Sequence, residues 1–495
     1  MIKNIKWLFL VSLTIVACSD DETVVVNNTS DGLPLTAGSA DFSNYVSLGN
    51  SLTAGYCDNA LFIEGQANSY PAILANQFAL VGGGEFKIPY TNDNTGGLLL
   101  GGNVIAGPRL YFNGSGPAPV MGIPTTEVST VLAGPFNNMG VPGAKSFHLL
   151  APGYGNVAGV TTGQANPYFV RFASSPSTTI LADASAQNPT FFSLWIGNND
   201  ILSYATSGGS GTNQTGNFNP ATYGPNDITD PNVFANVYTA LVDGMTANGA
   251  QGVVANLPYV TTIPYFTTVP HNPVPLDAAT AAQLNAGFAA YNNGLLFAQS
   301  VGLLTADEVA RRTISFTASS TNKLVMVDSY LTNLTAYGIP SYRQATSEDL
   351  VVLPARSFIG TAVGGNPAQI NGVSVPLADN WILSKDEILE VKTATDAYNA
   401  TIQSIASAKG LAFVDANALM TRVANGGITA DNFTVTSNYV TGGGFSLDGV
   451  HPSPRGYALI SNEFIKAINA TYGSNFKGVS LGSYRILYPE NPDNF

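Results

Sequence analysis

Residues 191–200 read FFSLWIGNND, and residues 252–257 read GVVANL. A strand with one wet face alternates apolar and polar side chains. A continuous run such as Phe191 to Ile196 or Gly252 to Leu257 belongs in a sheet covered on both faces, as parallel sheets are. Between the two runs, Val233 to Ala247 carries helical spacing, so the segment predicts a β–α–β crossover. Upstream, Tyr45-Val46-Ser47-Leu48 within Phe42 to Gly49 is a strand signal ended by glycine. Pro71 to Leu80 has helical spacing with proline in its first turn. Downstream, Leu411 to Val414 is a further strand, following a helix that opens with Ser384 and Glu387 at capping-box spacing. Gly456 to Tyr472 is the last helix. Strands alternating with helices predict an α/β fold with a doubly wound parallel sheet.

Three stretches break this rhythm. Residues 82–130 and 201–230 are rich in Gly, Asn, Pro and Thr and read as long loops rather than elements. Residues 302–383 read as an insertion. The helix at 277–303, with Tyr291-Asn292, is answered by Tyr398-Asn399 in the helix at 384–409, and the expected strand comes only after the second. The expected division is one domain over 41–475 carrying that insertion, then a C-terminal tail over 476–495. Loops of this length in a compact domain are commonly lids or binding edges.

The chain has 495 residues and a formal net charge of −13, from 19 Lys+Arg and 32 Asp+Glu. Charged residues make up 10%, against about 25% in an ordinary globular chain. No basic stripe offsets the acidity, which excludes a nucleic-acid phosphate backbone as partner. Lys3 and Lys6 precede an apolar stretch from Trp7 to Ala17, too short to span a bilayer and suited to a signal h-region. A small residue, Ala17, stands before Cys18. Residues 1–17 therefore resemble a bacterial lipoprotein signal, with Cys18 as the lipidated N-terminus and residues 18–40 as a polar tether. Ser19-Asp20-Asp21-Glu22 resembles the acidic export signal of surface lipoproteins. The expectation is an outer-membrane lipoprotein exposed at the surface, with periplasm-facing or secreted placement as alternatives. Cys57 is the only other cysteine, so an acylated Cys18 leaves no intrachain disulfide, and Cys57 reads as a buried apolar side chain.

Four short motifs carry chemistry. Gly49-Asn50-Ser51-Leu52-Thr53-Ala54-Gly55 puts a serine at the C-terminal end of a strand, where open α/β sheets hold ligands. Thr53 stands where a Gly-x-Ser-x-Gly nucleophile elbow needs glycine, which disfavours the ordinary α/β-hydrolase fold. In Asn138-Met139-Gly140-Val141-Pro142-Gly143-Ala144, Gly143 lets a backbone N–H approach a substrate unobstructed. Lys145-Ser146 just after it imitates a phosphate loop, but the glycine spacing fails. In Gly197-Asn198-Asn199-Asp200, an amide after a strand can aim its N–H₂ at a developing oxyanion. In Asp448-Gly449-Val450-His451-Pro452-Ser453, a carboxylate three residues before a histidine can fix its tautomer and stabilise the imidazolium.

In this order the four motifs resemble the GDSL/SGNH hydrolase family, over residues 45–470. The resemblance implies a flavodoxin-like three-layer α/β/α sandwich with large loop insertions, and ester hydrolysis without metal or other cofactor. It implies Ser51 as nucleophile, Asp448 and His451 as the acid/base pair, and an oxyanion hole of the Ser51 and Gly143 N–H groups with the Asn199 amide. One departure is Asn50, where the family has Asp. Asn keeps the size and some hydrogen bonds while losing the charge. His148 reads as structural, and His271 lies in a Pro-rich loop. With three histidines, no HExxH and no paired cysteines, a catalytic zinc has no ligand set. Trp195 and Trp381 read as core residues rather than sugar platforms.

The resemblance leaves the substrate open among small-molecule, lipid and acetylated-glycan esters, and the oligomeric state unspecified. A non-catalytic surface lipoprotein that binds glycans or nutrients is the alternative from a different class.

Overall fold

The computed structural model describes residues 29–491. The leader, Cys18 and the acidic residues 19–22 lie outside the described residues. Five parallel strands form the central sheet: β1 (Tyr45–Gly49), β2 (Asn138–Gly140), β3 (Phe191–Trp195), β4 (Gln251–Ala255) and β5 (Ala412–Val414). Their order is β2-β1-β3-β4-β5, with Ser47 opposite both Asn138 and Ser193. The order reverses between β1 and β3. In a doubly wound sheet that reversal opens a crevice at the strands' carboxyl ends.

The helices that position the site are α1 (Ser51–Ala54), α2 (Tyr70–Phe78), α3 (Asn199–Thr206), α4 (Pro231–Thr246), α5 (Ala278–Ser300), α6 (Lys385–Lys409), α7 (Ala416–Ala424) and α8 (Pro454–Tyr472). Every residue of β3 is buried. Phe191 and Trp195 share one face and pack on Phe78 of α2 and on Tyr472 and Phe464 of α8, at centroid distances of 5.6, 5.7 and 6.0 Å. Phe192 and Leu194 point the other way and are equally buried, so both faces are covered. A Cβ on Gly252 of β4 would stand 2.5 Å from the Phe192 ring, which explains the glycine inside that strand. Helices α4 and α6 join through stacked Phe234 and Tyr398 rings, 4.2 Å apart. Tyr204 of α3 donates to Glu390 of α6 at 2.7 Å.

Several expectations need revision. Asn138–Gly140, read only as the start of the motif that carries Gly143, is the edge strand β2. Residues 82–130 are not all loop. They hold one hairpin, Leu98–Leu100 with Asn103–Ala106, and another, Leu110–Phe112 with Pro117–Pro119. The first turns on Gly101 and Gly102, both at positive φ, which a two-residue hairpin of this kind requires. Helix α3 extends into the segment read as loop from residue 201. The far half of α5 packs inside the insertion: Leu295 and Ala298 form a separate small core with Leu304, Val309, Leu334 and Ile339.

Residues 29–40 have no helix or strand but lie along the C-terminal end of α8. Ser39 N donates to Tyr472 O at 2.7 Å and Thr36 N to Asn475 Oδ1 at 2.8 Å. Beyond residue 476 the chain also packs: Tyr488 is buried, and Arg109 donates to the Pro489 carbonyl at 2.7 Å. Among the described residues no helix is long and apolar enough to cross a membrane.

Candidate active site

Ser51 is the first residue of α1, directly after β1. The turn depends on Gly49, where a Cβ would stand 2.2 Å from Thr53 Oγ1 and 2.5 Å from the Trp195 carbonyl. Asn50 caps α1, its side chain accepting from Leu52 N at 3.0 Å. A neutral amide oxygen suffices for that cap. The departure from Asp therefore keeps the turn's hydrogen bond.

His451 comes from the loop before α8. That loop closes on itself, Ser446 N donating to the His451 carbonyl at 2.8 Å, and Ser453 caps the helix through Gly456 N at 3.1 Å. His451 Nε2 lies 2.9 Å from Ser51 Oγ, and its Nδ1 lies 2.9 Å from Asp448 Oδ2. Asp448 receives four further donors. Oδ1 accepts from Val450 N and His451 N at 2.8 Å each and from Ser446 Oγ at 3.1 Å, and Oδ2 accepts from Asn59 N at 3.1 Å. Burial pushes this carboxyl up, but the His451 ring and the N–H donors outweigh it and hold Asp448 below the ordinary carboxylate value. With Nδ1–H donated to that carboxylate, Nε2 is left as an acceptor for the Ser51 hydroxyl.

The loop after β2 and the start of α3 complete the site. Gly143 has φ +81°, and a Cβ there would meet nothing closer than 3.9 Å. Its backbone conformation, not crowding, calls for glycine. Among the described residues neither the Ser51 nor the Gly143 N–H has a hydrogen-bond partner. Asn199 Nδ2 donates to the Ala144 carbonyl at 2.9 Å, which uses one of its two N–H bonds. Asp200 clamps the same loop from the buried side, accepting from Ser146 N at 2.8 Å and Ser146 Oγ at 2.6 Å. Ser51, Gly143, Asn199, Asp448 and His451 all line one open cavity. The structure thus brings together every site residue singled out in the described chain.

Several participants have no signature in the sequence. The Tyr56 ring lies 4.7 Å from the His451 ring. Asp58, at φ +51°, accepts from Leu447 N at 2.9 Å, and its own N–H reaches Ser446 Oγ at 3.0 Å. Burial drives the Asp58 carboxyl up to about 7, with the nearby charge of Asp448 adding to the rise. Asp200 stood in a quoted motif, but nothing in the sequence marked it as a clamp.

The remaining candidates have structural partners. His148 is stacked on Tyr154 at 4.5 Å and accepts from Lys145 N at 3.1 Å; burial and the Lys145 charge lower its pKa to about 4. The His271 carbonyl accepts from Leu324 N at 2.9 Å. Trp195 is buried and donates to the Asn256 carbonyl at 3.0 Å, Trp381 packs edge-on to Phe358, and Cys57 is buried and free. Among the described residues no group of three or more His, Cys, Asp or Glu gathers as metal ligands.

No family model matches the chain, and no curated protein matches it. Two solved structures align with it at low similarity. One is a mutant of an acetyl-xylooligosaccharide esterase from Geobacillus stearmophilus, with 9% identity, TM-score 0.31, and 87% of this chain and 96% of the other covered. The other is an extracellular lipase from Streptomyces rimosus, with 12% identity, TM-score 0.28, and coverages of 87% and 99%. Similarity at that level says nothing about activity, and the functional reading rests on the site's geometry.

Proposed function

We propose that this chain is a serine hydrolase of carboxylic esters, built as a three-layer α/β/α sandwich of the GDSL/SGNH type. The observation that carries the reading is the unbroken line Asp448–His451–Ser51, which ends on a hydroxyl facing a cavity with unpaired N–H donors. Ser51 Oγ attacks the ester carbonyl while His451 Nε2 takes its proton, and Asp448 stabilises the resulting imidazolium. The Ser51 and Gly143 N–H groups and the second N–H of Asn199 hold the oxyanion. His451 then protonates the leaving alcohol and activates water, which releases the acid from Ser51. A purely binding protein gives no reason for this alignment. The proposal includes a lipid anchor on Cys18 that holds the enzyme at the outer-membrane surface.

The test compares wild type with Ser51→Ala and His451→Gln on p-nitrophenyl acetate and butyrate. Ser51→Ala is expected to lower turnover by about 10⁴–10⁶ with unchanged thermal unfolding. Equal turnover in wild type and Ser51→Ala would overturn the reading.

A further inference from the structure

The site opens on two cavities. Ser51, Asn199, Leu202, Val450 and His451 line both. Beyond these shared residues, the cavity described above is walled by Tyr56, Asn59, Tyr168 and Tyr265 among others, and it is the more open of the two to solvent. The second is narrower and runs from Ser51 between α7 and α8. Its walls include Ile263, Met420, Val423, Val435, Phe445 and Leu459, and apart from His451 no titratable side chain lines it. Apart from His451, its polar side chains, among them Asn50 and Asn198, come from the segments at the ends of β1 and β3.

We infer that this second cavity seats the hydrocarbon chain of the substrate's acyl group, so that the enzyme selects esters of aliphatic acids longer than acetic acid. The inference rests on the ester-hydrolase reading and adds the substrate class to it. The assignment of sides follows from chemistry. The acyl group stays on Ser51 through both steps, so enclosure helps it throughout. The alcohol must leave into water. A sugar or glycerol alcohol placed against Met420 and Val423 would leave its hydroxyls without partners. In the first step the bond from Ser51 Oγ to the acyl carbon forms and the acyl–alcohol C–O bond breaks. The serine proton passes through His451 to the departing oxygen. Water then adds to the acyl carbon, the bond from Ser51 Oγ to that carbon breaks, one water proton passes through His451 to Ser51 Oγ, and the free aliphatic acid leaves the slot.

The test measures kcat/KM for p-nitrophenyl acetate, butyrate, octanoate and palmitate, beside ethyl, hexyl and octyl acetate, with wild type, Met420→Trp and Val435→Phe. In wild type the p-nitrophenyl series should rise by up to roughly fourfold per seated methylene, while the alkyl acetates stay nearly flat. Either variant, bulky at a different segment of the slot, should cut octanoate hydrolysis by more than about tenfold and leave acetate within about threefold, in line with a lost hydrophobic subsite. Retained acetate hydrolysis shows that a variant folds. A flat acyl series, a gain that survives in a folded variant, or a gain in the alkyl acetates instead would overturn the acyl assignment while leaving the hydrolase standing. No turnover of any ester, with no fluorophosphonate labelling, would remove both.

Discussion

The insertion and the sheet end both bury carboxylates, and they finish them differently. In the insertion, Arg343 Nε lies 2.5 Å from Asp328, and its two terminal nitrogens each lie 2.7 Å from an oxygen of Asp349. Asp349 also accepts from Thr346 N and Oγ and from Lys385 N. Burial alone would raise Asp349, but Arg343 outweighs it and the carboxyl is lowered. That cluster is closed: every charge faces another, and none reaches the two cavities of the site. At the sheet end Asp448 is as well supplied with donors, but its ionic partner is a histidine whose far nitrogen meets a hydroxyl at the cavity. A closed ion cluster fixes a shape. The same carboxylate chemistry with one end left open can move a proton.

Breaking the open end should have the largest effect. Asp448→Asn keeps the size but favours the wrong imidazole tautomer, and turnover should fall by about 10⁴ with little change in unfolding. A loss under tenfold would mean that Asp448 only packs. Breaking the closed cluster should do the reverse. Arg343→Met leaves two buried carboxylates without a cation and should cost about 3–5 kcal/mol in denaturant unfolding, while acetate-ester turnover per folded molecule stays near wild type. Next in size, Asn199→Ala should lower kcat by about 10²–10³ and leave KM little changed, because its second N–H is needed only as charge develops.

A pH-dependent effect concerns Asp58, which among the described residues has no cationic partner within hydrogen-bond reach and so resembles neither region. Its carboxyl sits at about 7 when folded, against 3.8 for the ordinary group. Between roughly pH 4 and 7 the native state holds a proton that the unfolded chain has released. Its stabilising contribution is therefore complete below about pH 4 and is lost as pH rises through 7. Asp58→Asn should flatten that part of the stability profile, read from denaturant midpoints at pH 4 to 8. A constant difference from wild type across that range would contradict the sign.

What the sequence made legible follows from how local each signal is. The runs at 191–196 and 252–257 supply β3 and β4, which end at Trp195 and Ala255, because continuity reports burial on both faces. The Ser384–Glu387 capping box forms as its spacing requires. Strand β2 was not legible: Asn138, Met139 and Gly140 carry little strand preference and pair only because β1 lies beside them. The hairpin at 98–106 did have a signal, Gly101-Gly102 between two apolar runs, which composition alone obscured. At the site, Asp448 and His451 could be read together because they are three residues apart. Asn59, which donates to the same carboxylate from 389 positions away, could not. The apolar slot draws on at least four separated segments, so no local pattern describes it.

The central claim is that Ser51 is a nucleophile activated by His451. Its most direct test is treatment of the folded protein with a fluorophosphonate probe, followed by peptide mapping of the adduct. The expected result is a single adduct on Ser51, absent from Ser51→Ala and strongly slowed in His451→Gln. A well-folded wild type with no adduct, or an adduct on another residue that persists in Ser51→Ala, would contradict it.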